Sequence, residues 1–138
     1  VDAGIVAIRN VDLRNEFPRV NASVMLCVLT LQFTPIEYRL RILRDIYEHL
    51  LPAGVLILVE KVIGATAGIN ESMVDIYYRL KAANGYTQEQ IERKRLALEG
   101  VLVPVTAHWN QEMLATTGFR QVDTFWRYMN FAGFMAIK

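Results

Sequence analysis

The 138-residue chain has one cysteine, two histidines, four prolines and no long uncharged apolar run. Each scarcity excludes something. A single thiol, Cys27, cannot form an intrachain disulfide, which fits a reducing, cytoplasmic setting. It sits inside an apolar segment and reads as a small buried hydrophobe. His49 and His108 with one cysteine give no metal-ligand spacing, so no metal site is expected. No serine or cysteine lies in a nucleophile-elbow motif, so no catalytic residue is assigned. The apolar runs are too short for a membrane span. Val1-Asp2-Ala3-Gly4 has no basic region of a signal peptide. It also lacks an initiator methionine, as a processed, trimmed or partial chain would.

Hydrophobic residues make up 53 % of the chain and charged residues 21 %. That balance is globular. Lys plus Arg is 15 and Asp plus Glu 14, a net charge of +1. So even a balance gives no overall pull toward nucleic acid, and direct nucleic-acid binding is not expected. No repeat or linker divides the chain, and residues 1–138 read as one domain.

Residues 4–13 are apolar enough for a strand, and 15–21 read as a loop around Pro18. Ser23 to Leu31 is apolar at both alternating positions, the pattern of a strand covered on both faces. Thr34-Pro35-Ile36-Glu37 carries helix-start signals: a cap at Thr34, proline at the first position and a capping-box glutamate. Ile36, Leu40, Leu43, Ile46, Tyr47 and Leu50 follow a helical period. Arg39, Arg41, Arg44, Asp45 and Glu48 mostly fill the other face, which reads as solvated. His49 suits the helix's C-terminal dipole. Pro52-Ala53-Gly54 breaks the helix, and Val55 to Val59 is a second apolar strand.

Strand, helix and strand form a βαβ unit, so the two strands belong to a mostly parallel sheet. Ligands of such sheets bind beyond the carboxyl ends of the strands, here Thr30 to Phe33 and Glu60 to Ile63. Further helices are expected from Asn70 (as cap) to Ala83, from Thr87 to about Glu99, and from Thr106 to Thr116. Phe119 to Arg127 and Met129 to Ile137 read as an antiparallel terminal pair. The fold class is α/β.

Leu29-Thr30-Leu31-Gln32-Phe33, Leu51-Pro52-Ala53-Gly54 and Val59-Glu60-Lys61 resemble the fourth strand to fifth strand of class I S-adenosylmethionine (SAM) dependent methyltransferases. Lys81-Ala82-Ala83-Asn84-Gly85-Tyr86, Ile91-Glu92-Arg93-Lys94-Arg95-Leu96 and Met129-Asn130-Phe131 narrow the resemblance to the carboxy-SAM synthase family. The resemblance implies a partial Rossmann-like fold, its C-terminal half, with the first strands and glycine-rich cofactor turn lying before Val1 in a full-length relative. It implies SAM or carboxy-SAM as cofactor, prephenate as co-substrate, a homodimer, and a product that serves wobble-uridine modification in transfer RNA. It places Asp12 and Leu13 against the adenine, and Arg95 on the extra carboxylate of carboxy-SAM. The plain alternatives are a loop aspartate and a solvated charge run. Val28 stands where the family has a cofactor-binding asparagine. Gly64 to Gly68 follows the wrong strand for a cofactor turn and reads as a flexible loop.

Without the glycine turn, catalysis by this chain alone is not expected. The alternative is a non-enzymatic, self-associating protein that retains part of the fold. The Ser23 to Leu31 strand would keep an unpaired apolar edge, which favours a homodimer or larger oligomer. Tyr77, Tyr78, Tyr86 and Trp109 read as core aromatics, with a pocket beside Arg95 as the alternative. Arg79, Lys81, Arg93, Lys94 and Arg95 read as a solvated face because Glu89, Glu92 and Glu99 interleave.

Overall fold

The computed structural model describes Gly4 and residues 6–138. Its elements are β1 (Ala22–Val28), a 3₁₀ turn (Leu31–Phe33), α1 (Ile36–His49), β2 (Leu50–Ile63), α2 (Ala67–Ala83), α3 (Gln88–Leu98), β3 (Val105–Thr106), α4 (Ala107–Thr117), β4 (Gln121–Tyr128) and β5 (Phe131–Ile137). The sheet runs β1-β2-β5-β4, with β3 also on β2. β1 and β2 are parallel, with Leu26 beside Ile57 and Val28 beside Val59. β5 runs antiparallel to both β2 and β4. The α/β class, the parallel βαβ unit and the terminal antiparallel pair are therefore as the sequence implies.

One face of the sheet is complete. Alternation along β2 turns Leu56, Leu58, Glu60 and Val62 inward. Phe134, Ala132 and Ala136 of β5 join them, and Ile42, Leu43 and Ile46 of α1 and Met113 and Leu114 of α4 close the core. Gly118 ends α4 at φ 117°, a left-handed position that favours glycine.

The opposite face corrects the expectation that β1 and β2 are covered on both sides. Val24, Leu26 and Val28 of β1 are 55, 70 and 50 % exposed, and Phe125, Trp126 and Met135 continue the patch across β4 and β5. Both apolar sets of β1 were legible, but α1 and α4 cover only one of them. Phe125 sits at a register shift in β4 and lays its ring over Gly133, where an added Cβ would stand 2.8 Å from Cζ.

Other differences are local. Residues 6–12 form no strand; they are mostly exposed and make no ladder among the described residues, and Ile5 of that expected strand lies outside the description. Thr34 does not cap α1; Pro35 precedes it with no side-chain cap. Thr66, not Asn70, caps α2 through its hydroxyl, while Asn70 Oδ1 accepts the Gly64 N–H at 3.0 Å. Gly68 is thus inside a helix and not in a flexible loop. The capping box of Thr87 and Gln90 forms as expected. His49 ends α1, its Nδ1 2.8 Å from the Asp45 carbonyl and its ring 5.0 Å from Phe17.

Cys27 is buried, and desolvation first, then the charge of Glu60, pushes its thiol up to about 12. The thiolate is the reactive form. A disulfide reagent at pH 8 is therefore expected to leave Cys27 unmodified until denaturant is added; rapid stoichiometric reaction in buffer would contradict this burial.

Candidate functional site

Both strand ends that the βαβ reading singles out meet in one buried network. Glu60 is 2 % exposed and lies in the inward-facing row of β2, between Leu58 and Val62. Its Oε1 accepts the backbone N–H groups of Thr30 (3.2 Å) and Leu31 (3.0 Å), and its Oε2 that of Gln32 (2.8 Å). Burial pushes this carboxyl up, and the three N–H groups and Arg39 pull it back down. Gln32 returns the tie: its Oε1 accepts the Lys61 N–H at 2.6 Å, and its carbonyl accepts the Val103 N–H at 2.8 Å.

Arg39 belongs to the same network, which overturns its assignment to a solvated helix face. It is 2 % exposed. Its guanidinium donates to the carbonyls of Thr34 (2.9 Å) and Val103 (2.7 Å). Five donors in a planar fork can satisfy several carbonyls of irregular backbone at once. The side chain therefore turns inward, where the chain on both sides of it needs donors.

Two clefts open above this network and share Phe33 as a wall. The first, of about 370 Å³, is formed by Val11 to Arg14 against Leu29, Thr30 and Thr34. Here the structure places Asp12 and Leu13. Asp12 accepts from Arg14 Nε at 3.0 Å and Nη2 at 2.7 Å, and from the Arg14 N–H at 3.0 Å. These bonds hold its carboxyl down at about 2. It is an ionised acceptor, but an incoming amine would have to displace Arg14. Leu13 packs on the edge of the core, and its carbonyl accepts from Arg41 at 3.0 Å.

The second cleft, of about 380 Å³, lies between α2, α3 and the ends of β2 and β5. Arg95 lines it, so the two sequence-selected sites are neighbours but do not share one cavity. Arg95 grips Glu92 through Nε (3.0 Å) and Nη2 (2.7 Å) and reaches Glu99 at 3.8 Å. The planar face that suits a ligand carboxylate is occupied by its own helix. Tyr77 and Tyr78 line this cleft and Tyr86 the surface groove beside it, so these three are wall residues and not core. Trp109 is 40 % exposed and lines neither. α2 contributes no fully buried residue, which leaves its aromatics facing the cleft.

Val28 points to the open face beside Val59 and offers no polar atom to a ligand. The link from β1 to the 3₁₀ turn is Leu29-Thr30, without glycine. Among the described residues no group of histidine, cysteine, aspartate and glutamate could hold a metal, and no helix is long and apolar enough to cross a membrane.

No protein-family model matches the chain. It is 45 % identical over 136 residues to a carboxy-S-adenosyl-L-methionine synthase of Methylococcus capsulatus, covering 99 % of this chain and 56 % of that protein. It is 43 % identical over 118 residues to the synthase of Desulforapulum autotrophicum, covering 86 % of this chain and 48 % of that one. The chain thus spans about half the length of these curated relatives. Among solved structures, human N-acetylserotonin methyltransferase in complex with SAM superposes with TM-score 0.59, at 15 % identity, over 94 % of this chain and 33 % of that one. PigF with SAH gives 0.63 at 15 % identity, over 92 and 34 %. The fold is that of part of a SAM-dependent methyltransferase, and the sequence is similar to carboxy-SAM synthases along nearly its whole length.

Glu60→Gln replaces an acceptor oxygen with an NH₂ that cannot receive a backbone N–H. It is expected to cost about 1–3 kcal/mol of stability. Urea unfolding with an unchanged midpoint would show that the carboxylate is not the tie.

Proposed function

We propose that this chain supplies the carboxyl-terminal half of a carboxy-SAM synthase, as one domain over residues 1–138, and that it is not catalytic alone. The observation that carries this reading is the 45 % identity to such a synthase over 99 % of the chain. In this reading Asp12 accepts from the exocyclic amine of the adenine while Leu13 and Phe33 cover the ring. Arg95 exchanges Glu92 for the carboxylate of carboxy-SAM. The protein works as a cytoplasmic homodimer in wobble-uridine modification of transfer RNA, without gripping RNA itself.

The limits of the half-site support the non-catalytic part. Backbone approach to the methionine end of SAM needs a glycine turn after the appropriate strand, and the described residues contain none. Val28 cannot donate an amide, and both Asp12 and Arg95 already hold partners. Calorimetry with SAM and with S-adenosylhomocysteine is expected to show no binding tighter than ~1 mM, equivalent to about 4 kcal/mol. A micromolar dissociation constant for the chain alone would overturn this.

The uncovered sheet face favours a second reading, a non-enzymatic protein that self-associates. Val24, Leu26 and Val28 lie in a row with Phe125, Trp126 and Met135 on the same side. Burying each such side chain yields roughly 1.5–3 kcal/mol, against about 4–15 kcal/mol lost on association. Three residues would reach only the lower part of that cost, about 4.5–9 kcal/mol; all six, at about 9–18 kcal/mol when fully buried from full exposure, reach its upper part. Light scattering at micromolar concentration is expected to give a dimer or larger species under either reading, and a monodisperse monomer would count against both.

A further inference from the structure

The chain has four lysines, Lys61, Lys81, Lys94 and Lys138. The surroundings of three of them suit a charge. Lys138 donates from Nζ to the carbonyls of Tyr47 and Leu50, both at 2.7 Å, and so closes the end of α1. Lys81 stands in the last turn of α2, where the carbonyl end of a helix favours a cation. Lys94 is exposed on α3, where water solvates it. Lys61 has none of these. It is half-buried on β2, and its main-chain N–H is fixed on Gln32 Oε1 at 2.6 Å. Among the described residues it takes part in no ion pair.

What faces Lys61 works against its charge. The Nζ atoms of Lys61 and Lys81 stand 5.5 and 4.8 Å from the centroid of the Tyr77 ring. An aromatic face recovers part of an ammonium's lost hydration, but two ammonium groups on one ring repel each other. The other groups around the cleft do not offset this. α2 adds Tyr78, and α3 adds Lys94, Arg95 and Glu99. The one carboxylate among them is engaged by Arg95 at 3.8 Å. Glu60, beside Lys61 in β2, turns to the opposite face and is taken by three backbone N–H groups. Burial, then the charge of Lys81, lowers the basicity of Lys61.

A lysine that is desolvated and next to a second cation is activated as an amine nucleophile. While a lysine remains mostly protonated, the gain in free amine outweighs the loss of nucleophilicity that lower basicity brings. Lys61 also has access to solutes, because it lines a cleft of about 380 Å³. We propose that Lys61 is an acylation site that takes an acyl group from a thioester. The Lys61 ammonium first gives a proton to solvent. The free Nζ then attacks the thioester carbonyl, an N–C bond forms and the C–S bond breaks. The thiolate leaves with the bonding pair and takes up the second amine proton. One amide, one thiol and one released proton result. The amide is neutral, so acylation ends the repulsion at Tyr77 and leaves Lys81 as the single ammonium on that ring. Neither SAM nor Asp12 is involved, so the site stands or falls independently of the synthase reading.

The test is incubation of the whole chain near neutral pH with S-acetyl-N-acetylcysteamine, an uncharged thioester, with acetylation at each lysine followed by peptide mass spectrometry. An uncharged donor is not drawn in by the cleft's charge. Access alone favours exposed Lys94 over half-buried Lys61, so a faster Lys61 reports its free amine. Lys61 is expected to react at least about threefold faster than Lys94 in buffer, and at the same rate in concentrated urea. Removing the neighbouring cation raises the basicity of Lys61, so Lys81→Gln should slow it by at least about twofold, whereas Lys81→Arg should keep the rate. Circular dichroism establishes that both variants are folded. A Lys61 rate no higher than that of Lys94 in buffer, a rate ratio that persists in urea, or an unchanged rate in folded Lys81→Gln would overturn the proposal.

Discussion

The carboxylate of Glu60 receives three successive backbone N–H groups where the chain leaves β1, and much of the ligand-facing surface follows from that arrangement. Removing a carboxylate from water is costly, and burial alone drives this one toward protonation. Three amide donors and the nearby Arg39 guanidinium offset that cost. Because they come from consecutive residues, they also impose a 3₁₀ turn at Leu31–Phe33. The turn presents Gln32 to the Lys61 N–H and to Val103, and places Phe33 between the two clefts. The end of β2 and the connector into β3 are thereby held to the end of β1 by polar contacts, in a region where irregular backbone would otherwise lack partners.

The network lies on the finished side of an asymmetric sheet. α1 and α4 close one face around Leu56, Leu58 and Phe134, and no helix among the described residues closes the β1 half of the other. Exposed Val24, Leu26 and Val28 match a chain spanning about half the length of its curated relatives. A β-strand apolar on both sides is a local property of its sequence, whereas coverage depends on what else packs there.

This distinction explains which features were legible. The βαβ unit, the Thr87 capping box and the terminal antiparallel pair are encoded over short stretches, and the sequence reading placed all three. Glu60 was recoverable in principle: it shares the inward parity of Leu56 and Leu58, and a carboxylate at such a position demands donors. Arg39 was not, because helical periodicity puts it among charged neighbours, and its targets include Val103, 64 residues away. Thr34 does not cap because the helix begins at Ile36, which makes Pro35 the cap residue and leaves Thr34 one position outside it. Asp12 and Arg95 were selected by resemblance alone, and resemblance could not reveal that Arg14 and Glu92 already hold them.

Pairing also changes how the basic run on α2 and α3 is understood. Interleaved acids argued for a solvated face, and for Arg95 they do supply the partner. The i,i+3 and i,i+4 geometry that joins Arg95 to Glu92 and Glu99 does not extend to Lys81, a helix away, or to Lys61 on a strand. Compensation read along one helix therefore overstates compensation in space. Lys61 and Lys81, which have no carboxylate partner among the described residues, are turned toward Tyr77, so the meeting of β2 with α2 adds to the cleft a positive charge that the pairing along α3 does not offset.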